Sequence, residues 1–137
     1  DEVLNINLRA PFLLTKTLKP IFENSPMPRI IFTSSGVANM GRAFWGAYSV
    51  SKFGLKGLAE IFANELETTS SIKVFNFDPG PTQTKMSASA RPAENPHSLK
   101  NPYELVSCYL WFFSEESSNS KAHYYEYADL SKKVTST

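Results

Sequence analysis

Cysteine occurs once in the 137 residues, as Cys108, and histidine twice, as His97 and His123. A single thiol excludes an internal disulfide framework and fits a reducing, cytoplasmic setting. Within the apolar segment 103–110 it reads as a small core residue rather than a nucleophile. Two histidines exclude a multi-histidine metal site and leave a serine–histidine hydrolase few candidates. Net charge is only +1, so there is no basic stripe for nucleic acid and no polybasic segment for a membrane surface. No apolar run approaches the roughly 20 residues of a membrane-spanning helix, and no basic-then-apolar leader opens the chain. Neither nucleic acid nor membrane is an expected partner. What remains is an ordinary globular balance, 42% hydrophobic and 20% charged, enough for one modest core and too little for two.

In chain order, residues 1–22 read as a helix with Val3, Ala10, Leu14, Thr17, Leu18 and Ile21 close to one stripe and Asn7 in line with it. Pro11 lies inside that pattern, where it cannot donate to the carbonyl four residues back, which is that of Asn7. The run Arg29-Ile30-Ile31-Phe32-Thr33 has the near-continuous apolar character of a parallel strand buried on both faces. It stops at Ser34-Ser35-Gly36, placing small hydroxyls where ligands sit in open α/β sheets. Residues 47–67 read as a long helix apolar on more than one side, one face for a sheet and the other for a partner chain. Gly54 and Gly57 each cost about 1 kcal/mol relative to alanine there, which close backbone approach would offset. A second strand spans 72–77 and ends at Asp78-Pro79-Gly80-Pro81. Residues 82–100 have the composition of a flexible flap over a site. Asn101, Pro102 and Glu104 are a helix-start signal, a third strand covers 122–127, and 130–137 reads as a polar tail. Strands alternating with helices predict an α/β fold with a parallel sheet. No linker divides the chain, so 1–137 is read as a single unit.

Tyr48 and Lys52 lie four residues apart, so on a helix they share a face. A tyrosine ordinarily releases its proton at about pH 10, and a neighbouring ammonium favours the phenolate. The same spacing on an ordinary helix gives only a ring beside a solvated stem. Ser35, thirteen residues earlier at the end of a strand leading into that helix, can meet the phenol at one substrate oxygen. Asn7, with its freed carbonyl, completes a proton-transfer set.

These stretches (Asn7-Leu8, Ile31-Phe32-Thr33-Ser34-Ser35, Tyr48-Ser49-Val50-Ser51-Lys52 and Pro79-Gly80-Pro81-Thr82-Gln83-Thr84) resemble, in order and spacing, the C-terminal part of a short-chain dehydrogenase/reductase (SDR). The chain is also similar to the bacterial YciK-type oxidoreductases in Phe32-Thr33-Ser34-Ser35, Gly41-Arg42-Ala43, Trp45-Gly46-Ala47-Tyr48 and the flap around Arg91-Pro92. The resemblance implies the C-terminal portion of a Rossmann-like doubly wound parallel sheet and an NAD(P)-dependent interconversion of a small-molecule carbonyl and alcohol in a full-length parent. It implies Tyr48 as acid and base, Ser35 orienting the substrate oxygen, Lys52 assisting Tyr48 and holding the nicotinamide ribose, and the Asn7 carbonyl binding a relay water. Pro79, Gly80, Thr82 and Thr84 would be further cofactor contacts. Thr82 stands where the family usually has a branched aliphatic residue. Phe44, Trp45 and Met86 are candidates for the wall of an apolar substrate pocket. A homodimer or homotetramer through helices 1–22 and 47–67 is expected.

The glycine-rich phosphate-binding turn and the residue that chooses between NAD and NADP are not in the sequence; NADP is favoured. The first strand should therefore lack a neighbour on one side, an edge open to association. A second reading, of a different class, is a catalytically silent fragment that serves only as an association module through the Tyr48 helix. A serine hydrolase built on Ser34 or Ser35 lacks a Gly-x-Ser-x-Gly elbow and an acid to orient His97.

Overall fold

The computed structural model describes residues 2–135; the readings that placed Asp1 in the first helix and Ser136 and Thr137 in a tail lie outside them. A helical turn, Glu2–Leu4, and a π-helical turn, Asn5–Arg9, run directly into α1 (Ala10–Phe22). There follow β1 (Arg29–Thr33), a 3₁₀ turn (Gly36–Ala38), α2 (Gly46–Glu67), β2 (Lys73–Asp78) and α3 (Lys85–Ala90). The chain continues through 3₁₀ turns at Pro96–Ser98 and Pro102–Leu105, then α4 (Val106–Phe112), α5 (Glu115–Ser118), β3 (Tyr124–Glu126) and α6 (Tyr127–Thr135). The three strands form a parallel sheet in the order β1-β2-β3, with Ile31 opposite Phe75 and Phe77 opposite Tyr125. Among the described residues β1 has no strand on its outer side.

Strand alternation divides the core between the two faces of the sheet. Ile30, Phe32 and Val74 pack with Leu55, Ala59, Ala63 and Leu66 of α2. Phe75 and Phe77 point the other way, into Cys108, Trp111 and Phe112 of α4 and Leu130 of α6. The second cluster is aromatic-rich: Phe75 and Phe112 lie 5.0 Å apart between centroids, and Phe77 meets Tyr109 edge-on at 5.2 Å. Such side chains each contribute about 1.5–3 kcal/mol on burial. Asn101 opens the helical segment as expected, accepting from the Tyr103 N–H while Glu104 accepts from the Asn101 N–H at 2.7 Å. The turn it caps is 3₁₀ before it becomes α4.

The stripe expected on the first helix is exposed at Val3, Leu14 and Ile21, and in α1 the buried residue is Thr15. The helix instead lies against α2, with Phe12 stacked on Phe62. Residues 130–135 are no polar tail: they belong to α6, and Leu130 is 1% exposed against the α4 face. Tyr127, Leu130 and Val134, at helical spacing, carry that packing. Finally, the first helix meets Pro11 by widening: Asn5–Arg9 is π-helical and the Ala10 N–H reaches the Asn5 carbonyl, one residue beyond its α partner. The register has already shifted before the chain reaches the residue that cannot donate.

Gly54 accounts for the close approach expected of it. A Cβ there would lie 2.8 Å from Leu8 Cδ2, so the absence of a side chain seats the first helix on α2. Gly57 meets nothing within 4 Å and opens on a groove between the two helices that Leu8, Phe12 and Ile61 also line.

Candidate active site

β1 and β2 deliver the site at their carboxyl ends. The Ser34 N–H donates to the Phe77 carbonyl at 2.7 Å, carrying the pairing one residue past β1. The chain then leaves the sheet through an extended Ser35 into the 3₁₀ turn. Ser49 ties the start of α2 back to this turn: its hydroxyl donates to the Val37 carbonyl at 3.0 Å and its N–H to the Trp45 carbonyl. α2 thereby presents Tyr48 and Lys52 on the side where β1 ends. Lys52 Nζ donates to the Thr33 carbonyl at 2.9 Å and lies 5.7 Å from the centre of the Tyr48 ring. Burial lowers the Lys52 pKa from its usual value, and the Asp78 carboxylate opposes that shift.

Ser35, Tyr48, Lys52, Pro79, Gly80, Thr82 and Thr84 all line one cleft of about 690 Å³, and Phe44, Trp45 and Met86 line it with them. Three segments far apart in sequence therefore converge. Asn7 does not line this cleft. Its side-chain amide donates to Ser51 Oγ at 3.1 Å, and Ser51, wholly buried, donates to the Tyr48 carbonyl at 2.7 Å. The π-helical turn is thus linked through one hydroxyl to the backbone of the tyrosine.

The turn after β2 is set by side chains. Gly80 has φ +65°, a left-handed conformation that favours glycine, and its N–H donates to Asp78 Oδ1 at 2.8 Å. Thr82 Oγ1 donates to the Gly80 carbonyl at 3.0 Å, which gives the departure from an aliphatic residue a local role. Thr84 is the N-cap of α3, accepting from the Ser87 N–H at 3.1 Å. Both hydroxyls are engaged within the protein.

Residues 82–100, which carry α3, bring Met86, Arg91 and Glu94 to the cleft. The Arg91 guanidinium lies 5.3 Å from the Trp45 ring centre and 3.4 Å from the Glu94 carboxylate. Trp45 in turn leans on Tyr48, with centroids 5.7 Å apart. Phe44 has φ +68° and is fully exposed at the cleft, an uncommon conformation for a bulky side chain.

Sequence reasoning missed Asp78, Tyr109 and Lys100. Asp78 is a buried carboxylate at a strand end just before Pro-Gly, a position that could have drawn notice. Tyr109 lines the cleft and its hydroxyl bonds Thr33 Oγ1 at 2.9 Å, a meeting no local pattern announces. His97 is not among the cleft residues, which removes the base a serine hydrolase would need. Cys108 is fully buried, with burial raising its thiol pKa, as its core reading requires. No group of histidine, cysteine and carboxylate side chains suited to a metal ion occurs among the described residues.

A family model for short chain dehydrogenases matches residues 1–95. The chain is 40% identical over 117 residues to the uncharacterised oxidoreductase YciK of Escherichia coli (strain K12), covering 85% of this chain and 46% of that protein. The fold superposes with TM-score 0.85 on a short chain dehydrogenase from Salmonella enterica serovar Typhi, 37% identical, covering 90% of this chain and 50% of that one. It superposes with TM-score 0.84 on one from Shigella flexneri complexed with NADP, also 37% identical, covering 90% and 51%. The chain spans about half the length of these relatives. With the serine at the end of one strand, the Tyr48–Lys52 face of the next helix and the Pro-Gly turn of the following strand on one cleft, the chain belongs to the short-chain dehydrogenase family, and its parallel strands are part of that family's Rossmann-like sheet.

Proposed function

We propose that this chain provides the proton-transfer and substrate-binding part of an NAD(P)-dependent oxidoreductase that interconverts a carbonyl and an alcohol in a full-length parent. The convergence of Ser35, Tyr48, Lys52 and the Pro79–Thr82 turn on one cleft carries the reading.

The residues present fit a nicotinamide dinucleotide. Gly80 lines the cleft in a left-handed turn, its φ of +65° turning the backbone after β2 along the cleft. Lys52 spends one of its three protons on Thr33 while its ammonium lines the same cleft. Ser34 Oγ, buried at that wall, has no partner within the protein. A nicotinamide held there would supply the hydride exchanged with the substrate carbon. Lys52 would hold its ribose hydroxyls, and the backbone of Pro79, Gly80 and Thr82 would contact the nicotinamide end, since the hydroxyls of Thr82 and Thr84 are already engaged. NADP is favoured over NAD; two similar structures are described as complexed with NADP and with NADPH.

Tyr48 then gives its phenolic proton to the carbonyl oxygen on reduction and takes the alcohol's proton in the reverse direction. The Ser35 hydroxyl donates to the same oxygen and orients it. The Asn7 carbonyl would hold the water through which Tyr48 regains a proton, and Ser51 links the Asn7 side chain to the Tyr48 carbonyl. Phe44, Trp45 and Met86 give the substrate an apolar wall, so we assign a small hydrophobic carbonyl compound as substrate.

A second copy of the chain is the proposed occupant of the groove between the first helix and α2, where Phe12 and Ile61 are exposed, giving a homodimer or homotetramer.

Tyr48→Phe in the full-length protein tests the assignment. The ring and its contact with Trp45 remain, so NADPH binding, followed by fluorescence, should be unchanged. Turnover of a panel of aldehydes, ketones and diketones should fall roughly 100- to 10,000-fold. Retained turnover defeats the reading. If the wild-type protein binds neither NADPH nor NADH, the silent association module becomes the better description.

A further inference from the structure

The turn Pro79-Gly80-Pro81 has an unusual hydrogen-bond inventory. Two prolines leave it one N–H donor, that of Gly80, and three carbonyl acceptors. Asp78 takes the donor at 2.8 Å and Thr82 Oγ1 serves the Gly80 carbonyl at 3.0 Å. The other two carbonyls, of Pro79 and Pro81, both accept from Lys100 Nζ, each at 2.8 Å. Every polar backbone group of the turn is therefore satisfied by a side chain.

Lys100 arrives from the far end of segment 82–100. Its backbone forms a parallel bridge with Thr82, and its carbonyl accepts from the Gln83 N–H at 2.9 Å, so the same residue closes the base of that segment. Its ammonium sits against the Cβ-free side of Gly80, 3.1 Å from where a Cβ would be, and 4.6 Å from the centre of the Tyr127 ring. Asp78 and Glu104 are the carboxylates that face it. Lys100 is not among the residues that line the cleft, whereas Pro79, Gly80, Pro81 and Thr82 are. Its contact with the cleft is made through the turn.

We propose that Lys100 is a positioning residue for the dinucleotide: by bonding both carbonyls that flank Gly80, it holds the cofactor-facing turn in its bound shape and pins it to the foot of the 82–100 segment. This rests on the reading that the turn contacts the nicotinamide end. A turn without Lys100 has two carbonyls that must find water, and more conformations to lose on binding. The consequence is weaker cofactor binding, with the chemistry at Tyr48 largely preserved.

The test uses Lys100→Met and Lys100→Arg in the full-length protein, with NADPH titrated by fluorescence and amide hydrogen exchange followed at Gly80. Lys100→Met keeps the stem length but removes the charge and the donors. It should raise the NADPH Kd about tenfold, the cost expected on losing hydrogen bonds made by a charged group. It should also speed exchange at Gly80 and raise KM for NADPH more than it lowers kcat. Lys100→Arg, which still donates to two carbonyls, should return the Kd to within about threefold of wild type. A role in folding alone would lower thermal stability in the Met variant and leave the Kd of the folded protein untouched; that outcome overturns the proposal. So does a Met variant that binds NADPH as wild type does while Tyr48→Phe abolishes turnover, which leaves the functional reading standing. If the wild-type protein binds no dinucleotide, the functional reading fails and the proposal with it. Should the Met variant not fold, Lys100→Gln, which retains an N–H donor, takes its place with the same expected direction.

Discussion

Gly54 and Gly57 lie one turn apart on α2, and alanine at each should have opposite consequences. In a helix interior, glycine to alanine is worth about 1 kcal/mol of added stability. At Gly57 nothing lies within 4 Å of the added Cβ, so Gly57→Ala should realise that gain, about 2–4 °C in Tm for a protein of 150–250 residues. At Gly54 the new Cβ would stand 2.8 Å from Leu8 Cδ2 and 3.1 Å from Cδ1. Overpacking of this kind costs about 1–3 kcal/mol, and Leu8, beside a groove, can give way, which puts the cost at the lower end. With a cost of about 1–2 kcal/mol against a gain of about 1, the net for Gly54→Ala is between no change and a loss of about 1 kcal/mol. Leu8→Ala should then cost about 1 kcal/mol less in the Gly54→Ala background than in the wild type, a coupling readable from a double-mutant cycle of urea midpoints. A Gly54→Ala variant that gains the full helix-propensity increment, independent of Leu8, refutes the close packing of the first helix on α2. Gly57→Ala carries a second message. If another copy covers the groove, the added methyl meets it and Tm falls in a concentration-dependent way instead of rising.

Phe44→Gly should raise thermal stability by about 0.5–1 kcal/mol, because relief of the left-handed penalty (about 1–2 kcal/mol) exceeds the extra freedom of glycine in the unfolded chain (about 0.4–1 kcal/mol). The fully exposed ring gives up no packing, and KM for the carbonyl substrate should rise if it walls the pocket; a lower Tm would count against the strain. Burial pushes the Tyr124 phenol up to about 12, above its unfolded value of about 10. The fold thus favours the protonated form, and that stabilisation is fully present below about pH 10 and is lost as pH rises toward 12. Urea midpoints at pH 9 and pH 11.5 should fall less for Tyr124→Phe than for the wild type, and equal falls would show that Tyr124 is not the group responsible.

Much of the architecture is written in local patterns. Arg29–Thr33 is recognisable as a strand by its near-continuous apolar run and Lys73–Asp78 by Val74, Phe75 and Phe77 before the Pro-Gly turn, and a parallel pair requires an intervening crossover such as α2. Asn101-Pro102-Tyr103-Glu104 announces its own cap because every partner lies within three residues. α6 was equally legible, through Tyr127, Leu130 and Val134, but the surrounding lysines, serine and threonines gave it the composition of a tail. The exposed stripe of α1 shows the converse limit. Helical periodicity identifies a stripe but does not say whether a partner exists to bury it.

Local spacings carry the α/β class, the helix that holds Tyr48 and Lys52 on one side, and the strand end that leads to Ser35, because backbone geometry converts a spacing of a few residues directly into direction. Which of these groups share a cleft, and what holds them there, comes from long-range folding. Lys52 on the Thr33 carbonyl, Asn7 on Ser51 and Lys100 on both carbonyls around Gly80 join residues 19 to 44 positions apart. Such contacts have no period in the chain. The lysine contacts exist because a parallel sheet brings successive strand ends to one edge, where backbone carbonyls past the last strand pair meet donors from neighbouring segments.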